Sequence, residues 1–113
     1  MRILIVKTSS LGDLFHALPT VHLLKSAFDA EIDWVVNTEY VGLAECFSDV
    51  RTVIPFPRKG LLPNLGSFRT ELRRQTYDLV VDLQGLLKSA FVSRLAKRAA
   101  GAQIIGPSFQ REG

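Results

Sequence analysis

Met1-Arg2-Ile3-Leu4-Ile5-Val6-Lys7-Thr8-Ser9-Ser10-Leu11-Gly12-Asp13 opens the chain, and its reading decides the fold. Ile3 to Val6 is an unbroken aliphatic run closed by a polar loop, the pattern of a strand buried on both faces in a parallel sheet. After the loop 7–12, Leu14, Phe15, Leu18, Val21, Leu24 and Phe28 recur at helical spacing. Pro19 lies inside that helix and lacks an amide donor, so either a kink near Phe15 or a regular start at Pro19 is expected.

Working outward, Glu31 to Val36 reads as a second strand, Glu39 to Phe47 as a short helix, and Arg51 to Phe56 as a third strand ended by Pro55 and Pro57. Residues 57–66, with two prolines and two glycines, read as an exposed loop. Ser67 to Thr76 then reads as a helix with Ser67 at its N-cap. Asp78 to Leu83 is a fourth strand, Lys88 to Ala100 a fourth helix stopped by Gly101, and Gln103 to Ile105 the start of a fifth strand. The alternation predicts an α/β, Rossmann-like doubly wound parallel sheet, with ligands gathering at the carboxyl ends of its strands near the switch point.

Composition agrees with this class. The chain has 113 residues, 47% hydrophobic and 22% charged, which is globular rather than disordered, and it holds one domain at most. No apolar stretch approaches the ~20 residues of a membrane helix, and the four apolar residues before Lys7 are too few for a secretory signal, so a cytoplasmic location is expected. One cysteine, Cys46, and two histidines, His16 and His22, exclude a disulfide scaffold and a zinc cluster, so no metal site is expected. The net charge of +3 is uneven: residues 1–57 hold four Lys/Arg against seven Asp/Glu, whereas residues 58–113 hold ten against four. The basic half suits an anionic partner, and ordinary solvated helix faces account for such charges equally well.

The loop 7–13 is neither a dinucleotide fingerprint nor a P-loop, because Gly12 stands alone and no Gly-Lys-Ser/Thr occurs. It offers hydroxyls and one carboxylate, Asp13. An Asp before an apolar helical run fits an N-cap, meeting backbone amides and the positive end of the helix. It also fits a general base that takes a proton from an attacking hydroxyl. The two roles compete for the same lone pairs. Asp82 and Gln84 at the end of the fourth strand, and Arg58 and Lys59 after the third, open on the same edge of the sheet and could surround a shared cleft.

The ordered set Lys-Thr-Ser-Ser-Leu-Gly-Asp-Leu-Phe-His-Ala-Leu-Pro, Asp-Trp-Val-Val, Val-Ile-Pro, Tyr-Asp-Leu-Val-Val-Asp-Leu-Gln-Gly-Leu-Leu-Lys-Ser-Ala and Arg-Glu-Gly resembles the amino-terminal domain of the lipopolysaccharide heptosyltransferase I family, within glycosyltransferase family 9. The resemblance implies the amino-terminal, acceptor-binding part of a two-domain B-type glycosyltransferase fold, with 1–113 an incomplete domain and the carboxyl-terminal nucleotide-sugar domain absent. It implies inverting transfer of L-glycero-D-manno-heptose from ADP-heptose to the 3-deoxy-manno-octulosonic acid of lipid A, at the cytosolic face of the inner membrane, without a cofactor and with no nucleic-acid partner. In that family the residue matching Asp13 is the base. Ser9, Ser10 and Gly12 then lie beside the acceptor, and Gln84, Arg58, Lys59 and Arg111 join them. An Arg fork suits the acceptor's carboxylates and phosphates because it donates two hydrogen bonds at once. The isolated chain is expected to have no appreciable transferase activity.

Two other readings compete. One is a B-type glycosyltransferase with a different donor, since a fold alone does not name its substrate. The other is a non-catalytic α/β binding module docking on nucleic acid, which salt-sensitive binding to mixed oligonucleotides would favour.

Overall fold

A computed structural model describes residues 1–106. Five parallel strands, β1 (Arg2–Val6), β2 (Glu31–Asn37), β3 (Val50–Phe56), β4 (Tyr77–Asp82) and β5 (Arg98–Ile105), lie in the order β3-β2-β1-β4-β5. The chain moves outward from β1 to β3, then returns to the other side of β1 with β4. The switch point expected from the alternation therefore falls between β1 and β4.

Both faces of β1 are buried, as its apolar run requires. Ile3 and Ile5 pack with Ile32, Trp34 and Val36 under α1 (Leu11–Phe28) and α2 (Val41–Ala44), through Leu14, Ala17, Val21 and Ala44. Leu4 and Val6 pack on the other face with Val35, Ile54 and Phe56 under α3 (Leu61–Leu72) and α4 (Leu87–Leu95), through Phe68, Leu72 and Val92.

Four boundaries differ from the sequence expectation. α1 runs from Leu11 through Pro19 rather than starting regularly at it, and Pro19 sits on its exposed side, where the carbonyl it leaves unpaired can meet water. The expected helix from Glu39 to Phe47 is a 3-10 turn, Thr38–Tyr40, followed by the single turn of α2. α3 begins at Leu61 rather than Ser67, so Ser67 is internal and the expected loop ends at the N-cap, Gly60. Pro63 misled the reading: it stands in the first turn of α3, where no intrahelical acceptor waits for an amide hydrogen. α4 ends at Leu95, and Arg98 to Ala100 belong to β5. Gly101, expected to stop a helix, takes φ +82 within the strand, where pairing shifts from Tyr77–Arg98 to Leu79–Gln103 and the extra residues bulge out.

Candidate functional site

The switch-point crevice lies between the loop after β1 and the loop after β4. Backbone pairing carries both strands a residue further, with Leu83 N donating to Val6 O at 2.9 Å and Lys7 N to Val35 O at 3.3 Å. Trp34 Nε1 adds a bond to Lys7 O at 3.0 Å. The loop 7–10 therefore leaves a rigid platform.

Ser10, not Asp13, is the N-cap of α1, and Asp13 takes the third helical position of a capping box. Asp13 Oδ2 accepts the Ser10 hydroxyl at 3.0 Å and the Ser10 amide at 3.4 Å. The side chain is exposed, and both bonds land on one oxygen. Its pKa lies below the ordinary carboxylate value, chiefly through the Ser10 hydroxyl, then the Ser10 amide and the positive charge of Lys7. The cap and the base are thus compatible: Oδ2 holds the helix start while Oδ1 stays outside the capping box. Ser9 and Gly12 flank this carboxylate in the same loop and first turn.

Gln84 comes from the opposite wall. Its Oε1 accepts the Ser9 amide at 3.4 Å, joining the two loops. Beneath it Asp82, 2% exposed, accepts the amides of Gln84 at 2.9 Å and Gly85 at 3.0 Å through Oδ1, and the Ser89 hydroxyl at 3.0 Å through Oδ2. Asp82 was legible in the sequence as a carboxylate closing an apolar strand, but its burial was not.

Arg58 and Lys59 sit elsewhere on the same edge. They follow β3, two strands from β1, so about 10 Å of sheet separates their strand from the one whose loop leads to Asp13. With Thr38, Glu39, Pro57 and Asn64 they line a separate concavity of about 530 Å³. Arg58 Nη2 is paired with Glu39 Oε1 at 3.1 Å, an acidic partner the sequence reading did not assign. Arg111 lies outside the described residues.

Other groups on this edge escaped the sequence reading. Thr8, Asn37 and Phe56 occupy one rung across β1, β2 and β3, since Asn37 N donates to Thr8 O at 3.0 Å and Asn37 pairs with Phe56. Lys88, from the first turn of α4, places its ammonium 5.4 Å from the centre of the Phe56 ring. Thr8 Oγ1 and Asn37 Oδ1 are buried without a partner among the described residues, polar atoms of the kind that bound water satisfies. A polar residue ending an apolar strand was their only sequence signal. Among the described residues no group of three metal-ligating side chains converges, and no helix is long and apolar enough to cross a membrane.

Known proteins resemble this chain in sequence and in structure. The family model for glycosyltransferase family 9 (heptosyltransferase) matches residues 65–103. Lipopolysaccharide heptosyltransferase 1 of Pseudomonas aeruginosa is 40% identical over 104 residues, covering 83% of this chain and 29% of that protein. The Escherichia coli K12 protein of the same name is 39% identical over 107 residues, covering 85% and 34%. The solved structure of E. coli heptosyltransferase WaaC with ADP-2-deoxy-2-fluoro heptose superposes with a TM-score of 0.79 and 34% identity, over 94% of this chain and 36% of that one. The chain thus spans about a third of the length of the relatives it matches.

Proposed function

This chain belongs to glycosyltransferase family 9, and on that footing we propose that it supplies the acceptor-side, amino-terminal part of an inverting heptosyltransferase. The reaction moves L-glycero-D-manno-heptose from ADP-heptose to the 3-deoxy-manno-octulosonic acid of lipid A, at the cytosolic face of the inner membrane. The donor assignment is supported by the bound ADP-heptose analogue in the E. coli relative.

The observation that carries the reading is the Asp13 carboxylate, exposed at the switch point and fixed by Ser10 through one oxygen only. In the proposed step an acceptor hydroxyl attacks the anomeric carbon of heptose. A new C–O bond forms as the bond to the ADP phosphate breaks with its electron pair, and the hydroxyl proton passes to Asp13. A carboxylate with a lowered pKa is a weak base in bulk water. It acts here by being held within hydrogen-bond reach of an oxygen whose proton becomes acidic only as the new bond forms. Ser9, Ser10 and Gly12 line the acceptor's approach. The outlying Arg58 and Lys59, with Arg111, meet its anionic groups at a distance from the reacting centre.

In a full-length transferase carrying residues 1–113, Asp13→Asn is expected to leave fold and acceptor affinity unchanged while lowering turnover by about 10²- to 10⁴-fold, the range of a general base's contribution. Steady-state kinetics with calorimetric acceptor titration check this. Unchanged turnover would leave Asp13 as a capping residue only.

A further inference from the structure

We propose that Asp82 and Gln84 are positioning residues that act in relay to hold the loop bearing Asp13, with Gln84 committed to the protein rather than to the acceptor. This rests on the reading of Asp13 as the base. The relay begins in the sheet. Asp82 ends β4, is 2% exposed, and spends its carboxylate on the loop that follows: Gln84 N and Gly85 N on Oδ1, Ser89 Oγ on Oδ2. Ser89 in turn takes the Leu86 amide at 2.8 Å, so the residues from Gln84 to the start of α4 are fixed from below.

A buried carboxylate that accepts three hydrogen bonds has its desolvation offset only while all three donors stay in place, which ties the conformation of the loop to that of β4. The next link crosses the switch point. Gln84 Oε1 accepts Ser9 N at 3.4 Å, and Ser9 is bonded in the chain to Ser10, whose hydroxyl and amide hold Asp13 Oδ2. The path from Asp82 to Asp13 therefore runs through hydrogen bonds and one peptide link. Displacement of a catalytic group by about 1 Å can cost on the order of 10² in rate, so a small slip of this loop would register in turnover.

The test has two arms. In the 113-residue chain, kept below the concentration at which it self-associates, amide exchange of Ser9 is followed by hydrogen-exchange mass spectrometry with electron-transfer fragmentation. Gln84→Ala and Asp82→Ala are expected to accelerate it about tenfold or more by removing the acceptor or its support, while Ile5 and Val81 keep their protection. Asp82→Asn, whose carboxamide oxygen can still accept the turn amides, is expected to restore the wild-type rate to within a few fold. Unchanged Ser9 exchange in Gln84→Ala, or an Asp82→Ala variant that loses protection equally throughout the core, would overturn the relay. If Asp82→Ala does not fold, Gln84→Ala, in a half-buried loop, still decides the link to Ser9.

In a full-length transferase carrying residues 1–113, Gln84→Ala and Asp82→Ala are expected to lower kcat about 10- to 100-fold with the acceptor KM within about twofold, and Asp82→Asn to recover most of it. A raised acceptor KM at unchanged kcat would instead make Gln84 an acceptor contact and refute the assignment. A wild-type protein that transfers no heptose would refute the proposed function, and Ser9 exchange would still judge the hydrogen-bonded relay on its own.

Discussion

At the residue scale, three aspartates show how one side chain takes different roles from its surroundings. Asp13 is exposed and half engaged, which leaves an oxygen for chemistry, whereas Asp82 is buried and fully used by its own loop. Asp33 is the third, 1% exposed, and its Oδ2 accepts the Tyr77 hydroxyl at 2.7 Å and Arg51 Nη2 at 2.9 Å. Burial, and then the hydrogen bond to Asp33, push the Tyr77 hydroxyl well above the ordinary tyrosine pKa, so it remains a donor at any working pH. Removing that donor from a buried carboxylate is costly. Tyr77→Phe is expected to destabilise the chain by about 1–3 kcal/mol in urea denaturation, the range for a lost hydrogen bond to a charged group. In the sequence Asp33 is simply a strand residue and Tyr77 falls just before the expected fourth strand, and only the pairing of β2 and β4 with opposite edges of β1 brings them together.

At the element scale, the start of α1 couples helix stability to the readiness of the site. The native pKa of Asp13 lies below its unfolded value, so the stabilisation is complete above the unfolded pKa, near 4, and is lost as pH falls through the depressed native value. Ser10→Ala removes the hydroxyl that contributes most. It is expected to raise the Asp13 pKa toward the ordinary carboxylate range and to lower Tm at neutral pH, with the difference from wild type narrowing, once Asp13 is protonated in both, to the part that the Ser10 cap contributes without that charge. An NMR titration of the Asp13 side chain and thermal melts across the acid range check both outcomes. A similar lesson holds for α3, where a segment read as loop from its prolines and glycines is helical from Leu61, because proline's defect is harmless in a first turn.

At the scale of the whole molecule, the sheet ends in strands of unequal character. β5 pairs with β4 alone among the described residues and carries an irregular alternation of half-buried and exposed residues with a bulge at its centre. Among the described residues its outer edge presents unpaired backbone groups, and Ile105 in β5 and Leu87 and Phe91 in α4 are exposed. The 113-residue chain is therefore expected to self-associate at micromolar concentration, which light scattering coupled to size-exclusion chromatography would detect. A monomer with a sharp thermal transition would contradict this. The chain's own pattern determined the alternation of strands and helices, the central place of β1 and the identity of its carboxylate lip. These follow from local hydrophobic periodicity and from residues adjacent in sequence. The tertiary structure alone decided that Gln84 meets Ser9, that Asp82 is buried beneath them, that Arg58 is paired with Glu39 from the neighbouring strand's loop, and that residues 98–100 extend into a strand. Those outcomes depend on which strands become neighbours, and the free energy of such contacts comes from burial and hydrogen bonding between segments tens of residues apart, which no local pattern encodes.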